Sequence, residues 1–455
     1  MIGLAKSGIS AANFCFAHGA VVTVYDSKPE EQLKEAMEKV SCGVKVLCGT
    51  MPGEADLEQM DLMVLSPAVP ADLPFVLRAK ERSIPVYSEI ELAYHFLKGS
   101  IIGITGTNGK TTTTSLVGEI CGNYRKGSVT AGNIGLPLTD ALSEVEDNGF
   151  AVLELSSFQL ECIDDFRPHV AALLNFTPDH LNRHHTFEAY VDAKCRIYEN
   201  QTEEDYCIFN YDDPICLKKA KELMERAHAP RVRFFSHNQI TENGIWTKDG
   251  MIFADVEGEA VPVVKADELQ ILGDHNIENA MAAALCLLSA GIPMDVIRQG
   301  LKAFRGVPHR IEPVGCVNGV RYFNDSKGTN PDAAIKGLLS MPSEKTVLIG
   351  GGYDKGTPYD DWCSLFEKRV RYLVLIGQTA EDIKACALRH GFDEARIFME
   401  QTFDDAIERC RQMAVPGDSV LLSPACASWG MFDNYEQRGD IFREKVKQME
   451  AQANA

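Results

Sequence analysis

The stretch Gly103-Ile-Thr-Gly-Thr-Asn-Gly-Lys-Thr-Thr112 lies where an apolar, strand-like run is followed by a helical segment that starts near Lys110. In such a loop, backbone N–H groups surround phosphate oxygens at the helix N-terminus, the lysine contacts the terminal phosphates, and the next hydroxyl can bind Mg²⁺. A glycine turn without a ligand is the weaker alternative, because the loop joins a strand to a helix. The sequence therefore predicts a nucleoside triphosphate site formed by Gly106, Thr107, Asn108, Gly109, Lys110, Thr111 and Thr112.

Strand-like and helix-like segments alternate on both sides of this loop. Apolar runs at 21–25, 61–65, 101–105, 151–155, 170–174, 346–349, 372–376 and 419–422 are separated by segments with helical character. This alternation is typical of parallel sheets covered by helices, and 455 residues are too many for one hydrophobic core. We expect an α/β protein of three domains, divided near residues 88 and 306: a Rossmann-like N-terminal domain, a central P-loop ATPase domain with a parallel sheet, and a Rossmann-like C-terminal domain. Only Met1 and Ile2 precede the first glycine turn, so the first strand is expected to be truncated.

Composition excludes several classes of protein. The formal net charge of -20 repels polyanions, so we expect no nucleic-acid partner, and any site for an anionic substrate must be locally basic. The 14 cysteines are scattered and form no C-x-x-C pair, which indicates reduced thiols and a cytoplasmic protein. No apolar run reaches membrane-spanning length, so membrane insertion is not expected.

The loop resembles that of the Mur ligases and their folylpolyglutamate synthase relatives. It departs from the general G-x-x-x-x-G-K-[ST] pattern, since Ile104 occupies the first glycine position, and Gly-Thr-Asn-Gly-Lys-Thr is the form found in those families. Further segments follow the same family's order along nearly the whole chain. The resemblance implies that residues 1–88 bind a UDP-linked precursor, 89–306 bind ATP and 307–455 bind an amino acid.

Three residues after central strands are candidates for metal binding and catalysis together with Lys110. Glu154 ends a buried strand, where ligands collect in parallel sheets. Taken alone, this residue is better explained as a structural charge at a helix N-terminus. His180 and Lys194 resemble a metal ligand and the lysine that this family carbamylates; their alternatives are a structural histidine and a solvated helix charge. The resemblance implies Mg²⁺ or Mn²⁺ held by Thr111, Glu154, His180 and carbamylated Lys194.

Other matches concern the nucleotide. Asn276 and Asn279 are spaced to share one helix face, and the resemblance makes Asn279 the adenine contact; Asn276 could equally be an N-cap. Arg310 is expected to reach the triphosphate, because a guanidinium suits a multidentate anion. Asp325 is implied as a ribose contact, with an Asx-turn as the alternative.

The remaining matches concern the two other substrates. The precursor side is expected to use Lys6, Ser7, Asp26, Ser27, Lys28, Ser66 and Asn133. The amino-acid side is expected to use Thr329, Lys327, Lys355, Ser428 and Tyr435. Two features depart from the family pattern. Trp429 stands where the family often has a smaller residue, and the first glycine loop, residues 3–8, reads Gly-Leu-Ala-Lys-Ser-Gly instead of a G-x-G type.

The resemblance implies ATP-dependent addition of D-glutamate to UDP-N-acetylmuramoyl-L-alanine through an acyl phosphate, by a cytoplasmic enzyme that acts as a monomer. Within the ligase class, the alternatives are a sister Mur ligase or a folylpolyglutamate synthase-like enzyme. An NAD-dependent oxidoreductase would use the first glycine loop and Asp26 but would leave the second loop unexplained. A non-catalytic nucleotide-binding regulator would not need Glu154, His180 and Lys194.

Overall fold

The structure is a computed structural model that describes residues 1–341, 345–354 and 356–453. The chain forms two compact units. The first unit contains residues 1–268 and 278–302, and the second contains residues 269–277 and the chain from 303 onwards. Within the described residues, no helix combines the length and the apolar character that crossing a bilayer requires.

The first 88 residues of the first unit alternate short strands and helices. In chain order these are α1 Lys6–Ala17, β1 Thr23–Asp26, α2 Glu30–Met37, β2 Lys45–Cys48, α3 Glu54–Leu57, β3 Met63–Leu65, α4 Pro74–Glu81 and β4 Val86–Ser88. Strand β1 pairs in parallel with β2, and β3 with β4. Ile2 is fully buried and bridges Tyr25 on one side and Leu65 on the other. The single residue Ile2 thus joins the two strand pairs.

The rest of the first unit begins with α5 and is organised around one large sheet. Its elements are α5 Glu89–Tyr94, β5 Ser100–Thr105, α6 Lys110–Tyr124, β6 Val129–Gly132, α7 Leu138–Ala141, β7 Phe150–Glu154, α8 Ser157–Leu160, β8 Val170–Leu173, α9 Leu181–His184, α10 Phe187–Cys195, β9 Tyr206–Asn210, α11 Pro214–Met224, β10 Arg231–Ser236, β11 Ile245–Lys248, β12 Met251–Val256 and β13 Glu259–Lys265. Helices α12 Asp274–Ser289 and α13 Met294–Ala303 follow; the first turn of α12 and the last residue of α13 belong to the second unit. Short 3₁₀ helices lie at Leu142–Glu144, Arg196–Tyr198, Ala266–Glu268 and, in the second unit, Glu394–Arg396.

In the described residues the strand order of this sheet is β13-β12-β11-β10-β9-β8-β5-β7-β6. Pairing is parallel from β6 to β11 and antiparallel for β11, β12 and β13. The central strands β7 and β8 are buried along their whole length, as expected for parallel strands covered by helices on both faces. The sequence patterns predicted this parallel part but not the antiparallel edge at residues 245–265.

The second unit contains a six-stranded sheet with helices around it. Its elements are β14 Glu312–Val317, β15 Val320–Asn324, α14 Pro331–Leu339, β16 Thr346–Gly350, α15 Asp360–Cys363, α16 Phe366–Arg369, β17 Val370–Leu375, α17 Ala380–Arg389, β18 Ile397–Met399, α18 Phe403–Met413, β19 Ser419–Leu422 and α19 Tyr435–Ala453. The order is β14-β15-β19-β16-β17-β18, and only the β14–β15 pair is antiparallel among the described residues. The carboxyl ends of the parallel strands share one edge, where loops can carry functional groups.

Candidate active site

The loop between β5 and α6 has the backbone of an anion-binding turn. Gly106 and Gly109 have φ values of +144° and +84°, in the region that favours glycine. A Cβ on Gly109 would lie 2.3 Å from Asn279 Oδ1, so a side chain there would collide. Lys110 Nζ donates to the carbonyls of Gly106 and Thr107 at 2.9 and 2.8 Å. The ammonium group is therefore held inside the loop that precedes it.

This loop is tied to the segment after β8. Thr107 N–H donates to Asn175 O at 2.9 Å, and Asn108 N–H donates to Asn175 Oδ1 at 2.8 Å. The Thr107 hydroxyl lies 3.0 Å from the Tyr190 hydroxyl and accepts from Thr177 N–H at 3.0 Å. Asn175 and Tyr190 were not among the predicted contacts. Asn175 could have been found, because it opens the motif that contains His180.

Glu154 and Lys194 are buried beside this loop. Glu154 is 3% exposed; its Oε1 accepts from Asn133 Nδ2 at 2.8 Å, while Oε2 is buried without a hydrogen-bond partner in the described part of the chain. Burial, and to a smaller extent repulsion from Lys110, lowers the pKa of Lys194 to about 7. The negative charges of Asp179 and Glu154 act in the opposite direction and raise it. The structure thus brings Lys110, Asn133, Glu154 and Lys194 into one charged cluster.

His180 lies at the margin of this cluster. It has a φ of +51° and its ring nitrogen lies 3.5 Å from Asp179. Its half-exposed ring packs against Phe158, with 4.9 Å between centroids, and lies 6.4 Å from the Tyr190 ring. Lys194 Nζ lies 4.8 Å from the same Tyr190 ring. Tyr190 is therefore the shared neighbour of His180, Lys194 and the phosphate loop.

The two asparagines of α12 have different surroundings. Asn279 is 6% exposed, and its Oδ1 accepts from the Thr113 hydroxyl at 3.3 Å, directly under the phosphate loop. Asn276 donates to Leu272 O at 2.7 Å. The N-cap alternative for Asn276 was wrong, because the helix already begins at Asp274. The adenine contact of Asn279 stays a prediction.

The predicted precursor contacts near the N-terminus form one short loop system. Asp26 accepts from Leu4 N–H at 2.8 Å and from Lys28 N–H at 2.9 Å, so its carboxylate organises the backbone around the first glycine turn. Ser27 and Lys28 are exposed, and Ser7 is half-buried in the first turn of α1. All these groups lie at the ends of β1 and α1.

Two further precursor candidates face other parts of the first unit. Lys6 Nζ donates to Gly135 O. Ser66 is 1% exposed, and its hydroxyl is buried with no hydrogen-bond partner among the described residues. A Cβ on Gly3 would lie 2.9 Å from Ser66 Cβ, so glycine permits this close approach.

In the second unit, Asp325 is an internal hydrogen-bond acceptor. It is 4% exposed, accepts from the Ser423 hydroxyl at 2.7 Å and from Ile311 N–H at 3.3 Å, and burial raises its pKa to about 7. Arg310, half-buried, interacts with it electrostatically. Thr329 N–H donates to Lys327 O at 2.9 Å, and Lys327 Nζ lies over the Tyr435 ring at 5.6 Å.

Arg438 joins the loops that carry the amino-acid candidates. It is fully buried and donates from Nε to the Ser326 hydroxyl at 2.9 Å and from a terminal nitrogen to Ser326 O at 2.8 Å. It also reaches Cys426 O at 3.4 Å, two residues before Ser428, which is 4% exposed. The Ser326 hydroxyl donates to Tyr435 O at 2.7 Å. The sequence patterns predicted no role for Arg438, and the predicted contact Lys355 lies outside the described residues.

Three family models cover most of the chain. The Mur ligase MurD-like N-terminal domain matches residues 1–88, the Mur ligase middle domain matches 104–287, and the glutamate ligase domain of Mur ligases matches 309–426. A UDP-N-acetylmuramoylalanine–D-glutamate ligase from Lachnoclostridium phytofermentans is 47% identical over 98% of this chain and 97% of its own. The protein of that name from Clostridioides difficile is 41% identical over 99% and 98%.

The chain belongs to the Mur ligase family. It is accordingly an ATP-dependent amide ligase. Solved Mur ligases share its fold: UDP-N-acetylmuramate–alanine ligase from Thermotoga maritima matches 98% of each chain with a TM-score of 0.58 and 19% identity. The 2,6-diaminopimelate ligase acting on UDP-N-acetylmuramoyl-L-alanyl-D-glutamate matches 96% of this chain and 94% of its own, with a TM-score of 0.58 and 20% identity.

The residues near the Mur ligase phosphate loop fit a magnesium ion, as the family generally requires. The fit is supported by Glu154 Oε2, a buried carboxylate oxygen that has no hydrogen-bond partner among the described residues. Such an orphaned acceptor is costly unless a cation or donor meets it, and carboxylate and hydroxyl oxygens are the ligands that Mg²⁺ prefers. Glu154 and Thr111 are the residues that would hold the ion.

Proposed function

We propose that this Mur ligase catalyses the ATP-dependent addition of D-glutamate to UDP-N-acetylmuramoyl-L-alanine in cytoplasmic peptidoglycan precursor synthesis, acting as a monomer. The observation that carries the proposal is the convergence of the phosphate loop, Glu154 and Lys194 at the carboxyl edge of the central sheet, in a chain whose near full-length relatives bear this ligase name. We retain three functional segments: 1–88 for the precursor, 89–306 for ATP and 307–455 for the amino acid.

The first chemical step is transfer of the ATP γ-phosphoryl group to the terminal carboxylate of the precursor. A carboxylate is a poor electrophile, and converting it to an acyl phosphate creates a good leaving group. Lys110 neutralises charge that spreads over the phosphoryl oxygens, and loop N–H groups hold the phosphates in line. A bound Mg²⁺ adds electrostatic stabilisation of the same charge. Arg310 stays a predicted phosphate contact and Asp325 a predicted ribose contact.

The second step is attack of the D-glutamate amine on the acyl phosphate. The tetrahedral intermediate expels inorganic phosphate and leaves the amide. Burying the reacting groups away from water protects the acyl phosphate from hydrolysis. His180, on the margin of the cluster, stays a candidate second metal ligand.

We propose that Lys194 is carbamylated in the active enzyme. Its side chain is 2% exposed, and its ammonium form is opposed by burial and by Lys110, so the neutral amine that reacts with CO₂ is accessible near neutral pH. The carbamate replaces a buried cation with an anion beside Lys110. That anion would complete, with Glu154, the oxygen ligands of the metal.

The precursor is assigned to the first 88 residues and the adjoining Asn133. The buried Ser66 hydroxyl lacks a partner among the described residues, which supports a hydrogen bond to substrate. Lys6 and Ser7 supply a cation and donors for the diphosphate, Ser27 and Lys28 are assigned to the uracil or ribose, and Asp26, assigned to the same part, also holds the glycine turn. Asn133 orients Glu154 through its amide.

The amino acid is assigned to the loops that Arg438 holds together. Ser428, Thr329 and Lys327 are candidate donors to a substrate with two carboxylates, and the backbone at Tyr435 lies beside them. Lys355 is the proposed further cation. A dianionic substrate needs such a set of charged and neutral donors.

The test is a substrate panel with the purified chain. UDP-N-acetylmuramoyl-L-alanine and ATP are supplied with D-Glu, L-Glu, D-Ala, L-Lys or meso-diaminopimelate, and the amide product is measured by mass. We expect product with D-Glu alone: D-Ala leaves buried donors unpaired, at roughly 1–3 kcal/mol each, and L-Glu turns its amine away from the acyl phosphate. Preference for any other amino acid would assign the chain to a sister activity.

A further inference from the structure

The second unit carries a cavity of about 300 Å³ between the loop after β16 and the face of α17. Its lining includes Asp360, Cys386 and Arg389. Its lining also includes Asp354 and Gly356, the sequence neighbours of the candidate amino-acid contact Lys355.

Three potential metal ligands meet at the edge of this cavity, and two of them, Asp360 and Cys386, line it. One carboxylate oxygen of Asp360, the sulfur of Cys386 and one ring nitrogen of His390 all lie within 4.8 Å of one another. His390 Nε2 and Asp360 Oδ1 are 3.0 Å apart. The cysteine is buried, whereas the other two side chains are partly or largely exposed. The thiol is thus protected, and the other two ligands can adjust.

Two packed helices position these groups. Cys386 and His390 stand at i and i+4 at the end of α17, which puts them on one helix face. Asp360 begins α15, which packs against α17. Cys363 ends α15, and burial and then the neighbouring Cys386 thiol raise its pKa. A second sulfur is therefore adjacent to the three-ligand group.

We propose that Asp360, Cys386 and His390 form a binding site for a borderline-soft divalent cation, with Zn²⁺ as the ion that this ligand set suits best. Sulfur, imidazole nitrogen and carboxylate oxygen are all ligands of zinc, with bond lengths of about 2.0–2.3 Å that join ligand atoms up to about 4 Å apart. The three ligand atoms lie within 4.8 Å of one another, so they must approach by about 1 Å to reach that spacing. The fourth position is left to water from the cavity or to Cys363.

Binding has a definite chemical balance. The Cys386 thiol loses its proton to solvent, and the sulfur, the His390 ring nitrogen and an Asp360 oxygen each form a bond to the metal. The present hydrogen bond between Asp360 and His390 is replaced by these bonds. Arg389, which lies 3.4 Å from Asp360 Oδ1, must turn away; its side chain is 61% exposed and is free to do so.

A second group of potential ligands, Glu91, His95 and Asp165, does not support the same inference. The buried Glu91 carboxylate already accepts from the backbone N–H groups of Asp164, Asp165 and Phe166, at 2.8–3.0 Å. These bonds hold a loop. A cation there would have to displace them.

The test is titration of the full-length, reduced protein with Co²⁺, which reports thiolate ligation by a ligand-to-metal charge-transfer band and tetrahedral geometry by visible d–d bands. We expect both bands, their loss on adding Zn²⁺, and a rise in the melting temperature of the second unit with Zn²⁺. Cys386→Ala should abolish the charge-transfer band. Asp360→Asn should weaken binding by at least about 10-fold. The Asp360 side chain is 54% exposed, so this substitution removes no core packing and should leave the protein folded.

The matched control is Cys410→Ala, which removes an equally buried thiol from α18 of the same unit and should keep the native titration. The proposal fails if the parent protein shows no charge-transfer band. It also fails if Cys386→Ala keeps the band or if Asp360→Asn binds Co²⁺ as tightly as the parent.

Discussion

Two buried cations, Lys194 in the first unit and Arg438 in the second, have opposite surroundings. Lys194 faces the Tyr190 ring and another cation, Lys110, and its pKa falls to about 7. Arg438 donates to Ser326 and Cys426, and although burial lowers its pKa to about 10, it stays charged at neutral pH. Burial with satisfied hydrogen bonds indicates architecture, whereas burial beside a like charge indicates a group available for chemistry.

Lys110 supplies the like charge that distinguishes the surroundings of Lys194 from those of Arg438. Lys110→Ala should lower phosphate release by about 100-fold or more, because it removes the charge proposed to meet the transferring phosphoryl group. Stability should change little, since the Lys110 ammonium donates to carbonyls of the adjoining surface loop and does not pack in the hydrophobic core. Turnover is measured by phosphate release and the fold by thermal unfolding. Lys98→Ala, at an exposed lysine, should retain activity; near-parental turnover of Lys110→Ala would remove the phosphate-loop assignment.

Lys194 itself provides the direct test of a chemical role. Lys194→Ala should lose most activity, and short carboxylates such as acetate or formate should restore part of it, because they replace a removable carboxylate. In the parent enzyme, removing bicarbonate and CO₂ should lower activity reversibly. Lys218→Ala, at an exposed lysine of α11, should show neither effect. Unchanged activity of Lys194→Ala would contradict the proposed carbamate.

Arg438 should give the opposite result. Arg438→Ala leaves buried oxygens of Ser326 and Cys426 unpaired, so the free energy of unfolding of the second unit should fall by about 3 kcal/mol. Urea unfolding measures this loss, and short carboxylates should not reverse any loss of activity. Arg411→Ala, at an exposed arginine of α18, should be nearly neutral. A stable Arg438→Ala protein would break the proposed distinction.

Glu89 tests the effect of burial without a proposed reaction. It is 1% exposed, accepts from the Thr139 N–H at 2.6 Å and hydroxyl at 2.8 Å, and burial raises its pKa from 4.5 to about 7. The folded state favours the neutral acid, so its stability is greatest below the unfolded pKa and falls as pH rises towards about 7, by roughly 3 kcal/mol in total.

The measurement is the unfolding free energy of the first unit at about pH 5 and about pH 8. Glu89→Gln should flatten the difference, because an amide carries no ionisable proton. Glu144→Gln, at an exposed carboxylate, should leave it unchanged. A parent profile as flat as that of Glu89→Gln would contradict the assignment.

Ser428 should give the smallest effect. Ser428→Ala removes one neutral donor from the proposed amino-acid site, which corresponds to roughly 1 kcal/mol, or a KM for D-glutamate raised by about 5- to 10-fold. The KM for ATP and the stability of the second unit should change little. Ser364→Ala, at an exposed serine, is the matched control. An effect on ATP instead would place Ser428 on the nucleotide side.

Local sequence was enough for the apolar central strands of the parallel sheets and for the phosphate loop. Gly106 and Gly109 indicate positive φ, and the apolar runs indicate buried strands. The helix begins at Lys110, as predicted. These features depend on residue type, on near neighbours and on periodicity, all of which are local properties of the sequence. The weak alternation at residues 245–265 carried too little signal to predict three antiparallel edge strands.

Tertiary structure alone decided which polar groups meet and how they are charged. Asn133 and Glu154 are 21 residues apart, and Arg438 and Ser326 are 112 apart, so no local pattern predicts either hydrogen bond. The lowered pKa of Lys194 likewise depends on burial by α10 packing and on Lys110, far away in the chain. Sequence by itself determined the family of reactions through short motifs; folding determined which buried cation is available for chemistry, because desolvation and pairing are properties of the assembled core.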